Sequence, residues 1–278
     1  LIWFLALSIL SISILAIIQK FTGLLYPPSL WDDILNGRVV AFFTSPNAVG
    51  LYLAPVIILM SVLLLDKNLH FPPSYKGGNR GGLLTRLSIT VIALFSFIAI
   101  LFTKSSGAWI ALTVGALSFI FLIGYRKIVI FFVLLGVMVA MIMPNIRQEI
   151  LFQDQAGKNR FTLWNYSINF LESSPKNFVL GTGVGQFFRK VQKPYYNVKE
   201  MERLIYPHNI FLNFWTETGL LGAVSFIGII GYLFYLANKI KLQDKILGVG
   251  LIACLVVIIV HGLVDVPYFK NDLAMLFW

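Results

Sequence analysis

Tyr206-Pro207-His208-Asn209-Ile210-Phe211-Leu212-Asn213-Phe214-Trp215-Thr216-Glu217-Thr218-Gly219-Leu220-Leu221-Gly222 places polar side chains where an apolar membrane span should begin. Asn209, Asn213, Thr216 and Glu217 are spaced i, i+4, i+7 and i+8. A helix therefore gathers two amides, a hydroxyl and a carboxylate on one face, and turns Ile210, Phe211, Phe214 and Trp215 toward lipid or packing. The same spacing sets His208 in the first turn of that helix, beside the polar stripe. Polar groups at membrane depth are costly to keep, so the stripe marks a functional region.

Outward from this stretch the chain is apolar almost throughout. Of its 278 residues, 58% are hydrophobic and only 12% charged, and the mean hydropathy is +0.82. Such values exclude a water-soluble domain. About 20 apolar residues cross the hydrocarbon layer as a helix, and suitable runs lie near 1–19, 48–65, 87–103, 107–124, 127–143, 218–237 and 246–264. The expected fold is all-α: a polytopic transmembrane helical bundle of about seven spans, with an eighth begun at 273–278. With no initiator Met and an apolar run at each end, residues 1–278 read as one membrane domain, a piece of a longer protein.

Basic residues in short loops stay on the cytoplasmic side. Lys67, Lys76, Arg80 and Arg86 follow the second span, and Arg126-Lys127 and Lys239, Lys241 and Lys245 fall on the same side if the spans alternate. The opposite, external side then receives 19–47, 103–107, 144–207 and 261–272. Residues 144–207 form a long external loop with nine basic and five acidic residues, net +4. That charge suits an anionic partner or membrane lipid headgroups, with Arg189 among the candidate substrate contacts. Phe161, Trp164, Ile168 and Leu171 recur there at helical spacing, between Lys158-Asn159-Arg160 and Ser173-Ser174-Pro175, and predict an amphipathic helix along the interface. At its start, Arg160 offers a fork of paired donors to phosphate oxygens, on a carrier or on a lipid headgroup.

Several other features read as structural. Gly181-Thr182-Gly183-Val184-Gly185 lacks both dinucleotide-binding and P-loop spacing and reads as a tight turn. Cys254, the only cysteine, sits mid-span as a packed thiol with no disulfide partner. Pro72-Pro73-Ser74-Tyr75-Lys76-Gly77-Gly78 is a flexible cytoplasmic connector, and His70 beside it is remote from the external site. His261 and Asp265, one helical turn apart, suggest a local structural pair. Asp32-Asp33 reads as a solvated pair. Three scattered histidines make no metal cluster, so neither a metal nor another cofactor is expected, and no nucleic-acid partner.

Six motifs occur in order: Arg38 with Pro46-Asn47-Ala48-Val49-Gly50-Leu51-Tyr52-Leu53; Thr103-Lys104-Ser105-Ser106-Gly107-Ala108-Trp109; Arg160 to Trp164; Leu180-Gly181-Thr182-Gly183-Val184-Gly185; Pro207-His208-Asn209 with Glu217-Thr218-Gly219; and His261-Gly262-Leu263-Val264-Asp265. Together they resemble the O-antigen ligase and polymerase family, over about 36–278. The resemblance implies a GT-C type glycosyltransferase of the bacterial cytoplasmic (inner) membrane. It would move a glycan from an undecaprenyl-pyrophosphate carrier to a lipid, glycan or protein acceptor at the periplasmic or extracellular face, without metal or nucleotide sugar. By matching positions, Arg160 and Arg38 would hold the pyrophosphate and His208 would act on the acceptor. One departure stands out: many members carry Ser-Arg-Gly in the short outer turn where this chain has Ser105-Ser106-Gly107. Lys104 supplies charge there but not the planar fork.

The chemistry suits these residues. Glycosyl transfer from a pyrophosphate builds negative charge on the departing oxygens, which fixed cations stabilise. The acceptor hydroxyl must lose a proton, and histidine titrates near working pH. His208 and Arg160 are the candidate catalytic residues, and Arg38, Lys104, Asn209, Asn213, Glu217 and Arg189 the candidate substrate contacts. The alternative is a transporter or channel for an anion or lipid-linked sugar. It would use the same external cations but would need polar groups along a route through the midplane, where these spans are nearly free of charge. Ligase, polymerase and protein glycosylase are not separable at this level, because sugar and acceptor identity depend on cavity shape.

Overall fold

The computed structural model describes residues 2–26, 37–65, 78–195 and 203–266. Among these there is no strand, and the regular elements are helices: α1 Ile2–Thr22, α2 Pro46–Leu65, α3 Gly78–Thr103, α4 Ser106–Ile123, α5 Arg126–Ile142, α6 Pro144–Ile150, α7 Gln155–Glu172, α8 Pro175–Leu180, α9 Ile210–Gln243 and α10 Lys245–Gly262, with a π turn at Phe188–Gln192 and a 3-10 turn at Lys193–Tyr195. This is an all-α polytopic bundle. Asp32, Asp33, His70, the Pro72 to Gly77 part of the connector and the expected eighth span at 273–278 lie outside the described residues.

Among the described residues, six helices are long and apolar enough to cross a membrane: Trp3–Thr22, Pro46–Leu65, Leu83–Thr103, Ser106–Ile123, Ile210–Gln243 and Lys245–Gly262. The expected span at 127–143 is α5, 17 residues long, which is followed by Pro144–Glu172 across a bend of 109°. Pro144 explains the break, since its ring removes an amide donor and favours a first-turn position in a new helix. The expected spans from 87 and from 218 mark the apolar parts of longer helices, since α3 begins at Gly78 and α9 at Ile210. Hydropathy registers only the lipid-crossing part of a helix, and both helices continue into polar sequence.

Two compact units divide the described residues: those up to Ile123 together with Leu236–Val260 form the first, and those of Gly124–Tyr235 with His261–Val266 the second. In the first, α2 is the inner helix. It has no charged residue, most of it is buried, and α3 and α4 pack along it while α1 packs on α3. Because lipid tails are as apolar as leucine, such helices are held by close fit and by polar contacts between them. Ser8 Oγ lies 2.6 Å from Tyr52 Oη, and Ser13 Oγ donates to Ser96 Oγ at 3.1 Å. Cys254 Sγ donates to the Pro55 carbonyl at 3.3 Å, in agreement with a packed thiol. Gly115 lets α10 approach α4 so closely that a Cβ there would lie 2.2 Å from Val257 Cγ2.

Gln19 ties the segment after α1 together. Fully buried, it accepts from the Val40 and Ala41 amides at 3.1 and 2.8 Å and donates to the Leu25 and Ala41 carbonyls at 3.0 and 3.1 Å. All four hydrogen-bonding sites of the amide are thereby used. This clamp fixes the backbone directly after Arg38.

In the second unit, Asp154 caps α7 by accepting from Gly157 N at 3.1 Å, and Ser174 caps α8 by accepting from Asn177 N at 3.1 Å. The amphipathic helix expected in the long loop is α7, although its apolar residues divide between two surroundings. Leu163 and Leu171 are buried, whereas Phe161 is 46% and Ile168 41% exposed. Leu163 joins Phe187 and Val191 in a small core. Phe152, Phe161 and Trp164 form an edge-on aromatic cluster with centroids 5.1 to 5.7 Å apart.

Within α9 the helix breaks at Gly219, which has φ 75°. The glycine-rich turn packs into this break. Thr182 N donates to the Thr216 carbonyl at 2.6 Å, and a Cβ on Gly219 would lie 2.2 Å from the Val179 carbonyl oxygen. The tight-turn reading of 181–185 is correct, and its partner is the broken helix.

Candidate active site

α9 starts at Ile210, so the placement of His208 in its first turn is corrected. Asn209 is the cap instead: its Oδ1 accepts from Phe211 N and Leu212 N, both at 3.1 Å, and its Nδ2 donates to the Leu263 carbonyl at 3.2 Å. Asparagine competes well for this position because its short side chain reaches the unpaired amides of the first turn. His208 precedes the cap with φ 53°, in the left-handed region. That turn brings Nδ1 to 3.4 Å from Asp265 Oδ1, with 18% of the histidine side chain exposed and the aspartate buried. The separation is ion-pair contact, longer than a well-formed hydrogen bond. Asp265 Oδ1 also accepts from Val266 N at 2.7 Å.

Tyr206 completes the group, its ring centroid 4.7 Å from that of His208. Burial, and after it the negative charge of Asp265, push the Tyr206 phenol well above its usual range, so it stays protonated at neutral pH. Arg160 reaches the same segment. Its Nε donates to the Val264 carbonyl at 3.1 Å, one residue before Asp265, and its terminal nitrogens meet no acceptor among the described residues. Trp164, one turn along α7, donates to the Pro207 carbonyl at 3.0 Å. Two anchors from α7 thus hold both the segment before His208 and the segment before Asp265.

Further along α9 the polar stripe faces inward. Asn213, Thr216 and Glu217 are all buried. Thr216 Oγ1 donates to the Leu212 carbonyl at 2.8 Å, and Glu217 Oε1 accepts from Gly185 N at 3.2 Å. Among the described residues, neither end of the Asn213 amide nor Glu217 Oε2 has a hydrogen-bond partner. Arg189 lies exposed on the π turn, and no hydrogen bond among the described residues joins it to the His208 group. No set of three or more His, Cys, Asp or Glu among the described residues is arranged to hold a metal.

Arg38 and Lys104 belong to the first unit. Arg38 Nε donates to the Thr103 carbonyl at 2.9 Å and Nη2 to Asn47 Oδ1 at 3.1 Å. Its guanidinium therefore joins the segment before α2 to the end of α3. Lys104 is exposed and adopts φ 48° in the turn between α3 and α4.

The spacing predicts a local structural pair of His261 and Asp265, and the structure also sets Asp265 against His208. Fifty-seven residues separate the two, so no local periodicity signals the contact. Asp265 N also donates to the His261 carbonyl, at 3.0 Å.

The chain is a multi-pass helical membrane protein in which a histidine, a buried carboxylate and an arginine lie close together before a polar helix. Residues 91–227 match the family model described as O-antigen ligase. The matched stretch contains Lys104, Arg160, Arg189, His208, Asn209, Asn213 and Glu217, and leaves out Arg38 and Asp265. No curated protein matches the chain.

Proposed function

We propose that this protein transfers a glycan from an undecaprenyl-pyrophosphate carrier to a lipid, glycan or protein acceptor at the external face of the bacterial cytoplasmic membrane, without a metal. The observation that carries this reading is the His208 group: a partly exposed imidazole whose Nδ1 faces a buried carboxylate, next to an arginine anchored on the same segment. With Nδ1 turned to Asp265, the Nε2 lone pair is the one left for an acceptor hydroxyl. The hydroxyl oxygen attacks the anomeric carbon as the carbon–oxygen bond to the pyrophosphate breaks. The proton goes to His208, and the bonding pair leaves on the pyrophosphate. A single displacement of this kind inverts the anomeric centre.

Asp265 stabilises the imidazolium as it forms, in the way a carboxylate behind a histidine base does. Arg160, anchored beside the His208 group, is the cation we assign to the phosphates. Asn213 and Glu217 suit sugar hydroxyls, because buried polar atoms without partners cost about 1–3 kcal/mol each and are rare outside sites that bind something. His208→Ala in proteoliposomes loaded with lipid-linked donor should lose transfer by roughly a hundred-fold or more while remaining inserted and folded. Transfer at the wild-type rate would remove His208 from the mechanism.

A further inference from the structure

Tyr206 has no part in the displacement proposed for His208, yet it meets both members of the base. Its ring lies against the imidazole, with centroids 4.7 Å apart and planes at 58°. That is at the short end of the separation aromatic pairs prefer, about 4.5–7 Å. Its phenol lies within the field of Asp265: burial, and after it the charge of that carboxylate, hold the phenol above its usual range. The phenol is therefore neutral at working pH and adds no second negative charge beside the carboxylate. Tyr206, His208 and Asp265 all belong to the second unit.

The imidazole needs such a neighbour. Its Nδ1 faces Asp265 Oδ1 at 3.4 Å, longer than a well-formed hydrogen bond, so that contact sets the ring plane only loosely. The second side-chain torsion of a histidine has broad, roughly two-fold preferences. A half-turn about it would put Cδ2 in the place of Nδ1 and Cε1 in the place of Nε2, and the base would be lost with no change of backbone. The anchors at Trp164 and Asn209 act on the backbone, through the Pro207 carbonyl and the Phe211 and Leu212 amides. Tyr206 acts on the ring itself. The segment that carries it is braced, because Pro207 restricts the backbone between the two rings and Trp164 holds the Pro207 carbonyl at 3.0 Å.

We propose that Tyr206 is a positioning residue for the base: its flat ring holds the plane of the His208 imidazole, so that Nδ1 stays on Asp265 and Nε2 stays toward the acceptor. The part given to Nε2 rests on the proposed function, whereas the ring contact rests on the geometry. The ring does this work, and the hydroxyl is dispensable.

The test is transfer kinetics of the full chain in proteoliposomes, supplied with undecaprenyl-pyrophosphate glycans and acceptor extracted from the host's own membranes. Tyr206→Phe keeps the ring and should hold kcat within about three-fold of the wild type, whereas Tyr206→Met, which fills space without a flat face, should lower it roughly ten- to a hundred-fold with both KM values unchanged. On an Asp265→Asn background, Tyr206→Met should cost less than about three-fold more, because two changes that act through one contact are not additive. A general loss of folding would add instead. Tyr206→Leu repeats the test if Tyr206→Met inserts poorly. Wild-type kcat in Tyr206→Met, an equal loss in Tyr206→Phe, a loss carried by either KM, or full additivity with Asp265→Asn would each overturn the positioning role and leave the proposed function standing. Wild-type transfer by His208→Ala would overturn the function, and the role of Tyr206 falls with it.

Discussion

His208 has its backbone at φ 53°, a conformation that costs a non-glycine residue about 1–2 kcal/mol and that persists only where the surroundings hold it. Those surroundings are visible: Asn209 capping α9 on one side and Trp164 bonded to the Pro207 carbonyl on the other. Together they present the imidazole to Asp265. Asp265→Asn keeps the shape and removes the charge. It should lower kcat by roughly ten- to a thousand-fold, within the range that general-base assistance supplies, and leave the donor KM unchanged. A loss confined to KM would show that Asp265 serves binding rather than the base. Arg160→Lys keeps the charge but loses the fork while its Nε contact with Val264 disappears. The donor KM should rise about ten-fold with the acceptor KM unaltered, as expected where a planar paired donor gives way to a point charge. Equal donor KM values would exclude Arg160 as a phosphate ligand.

At the scale of elements, the interrupted helix α9 sets the geometry. Its first part carries the cap and the buried polar residues, and the Gly219 break receives the 181–185 turn, which in turn supplies the amide that meets Glu217. A Cβ at Gly219 would meet the Val179 carbonyl oxygen and the Leu180 backbone, none of them a flexible side-chain end. Gly219→Ala should therefore destabilise the protein by about 2 kcal/mol or more, combining left-handed strain with overpacking. Gly136→Ala is the control. Gly136 lies in α5 with nothing within 4 Å of an added Cβ, and alanine there should be neutral or stabilising by a few tenths of a kcal/mol. Thermal unfolding in detergent compares the two, and equal melting temperatures would show that the break is not locked by the turn. The polar stripe of α9 was legible from its spacing. Its start was not, because Asn209 serves equally well as a cap or as a first-turn residue until the preceding backbone is known.

At the scale of the whole molecule, the positions of lysine and arginine carry an expectation of how the chain sits in the membrane. From the excess positive charge in the short loops after α2, α4 and α9 we propose that those loops are cytoplasmic and that Lys158 of α7 is external. A membrane-impermeant maleimide added to intact cells, with the outer membrane made permeable if one is present, should label Lys158→Cys and not Lys241→Cys. Cys254 is largely shielded and bonded to Pro55, so the parent protein gives a low background. Labelling of Lys241→Cys alone would invert the topology and move the His208 group to the cytoplasmic side. The sequence by itself determined the all-α membrane class, most of the spans, the amphipathic character of α7 and the list of candidate residues, because hydropathy and helical spacing are local properties that each segment carries in its own side chains. Only the tertiary structure decided that Asp265 faces His208, that Arg160 is anchored beside it and that Gln19 fixes the backbone after Arg38. Each of these joins residues far apart in the chain, and which distant segments meet is settled by how helices pack and where loops close, a choice that no local pattern of residues encodes.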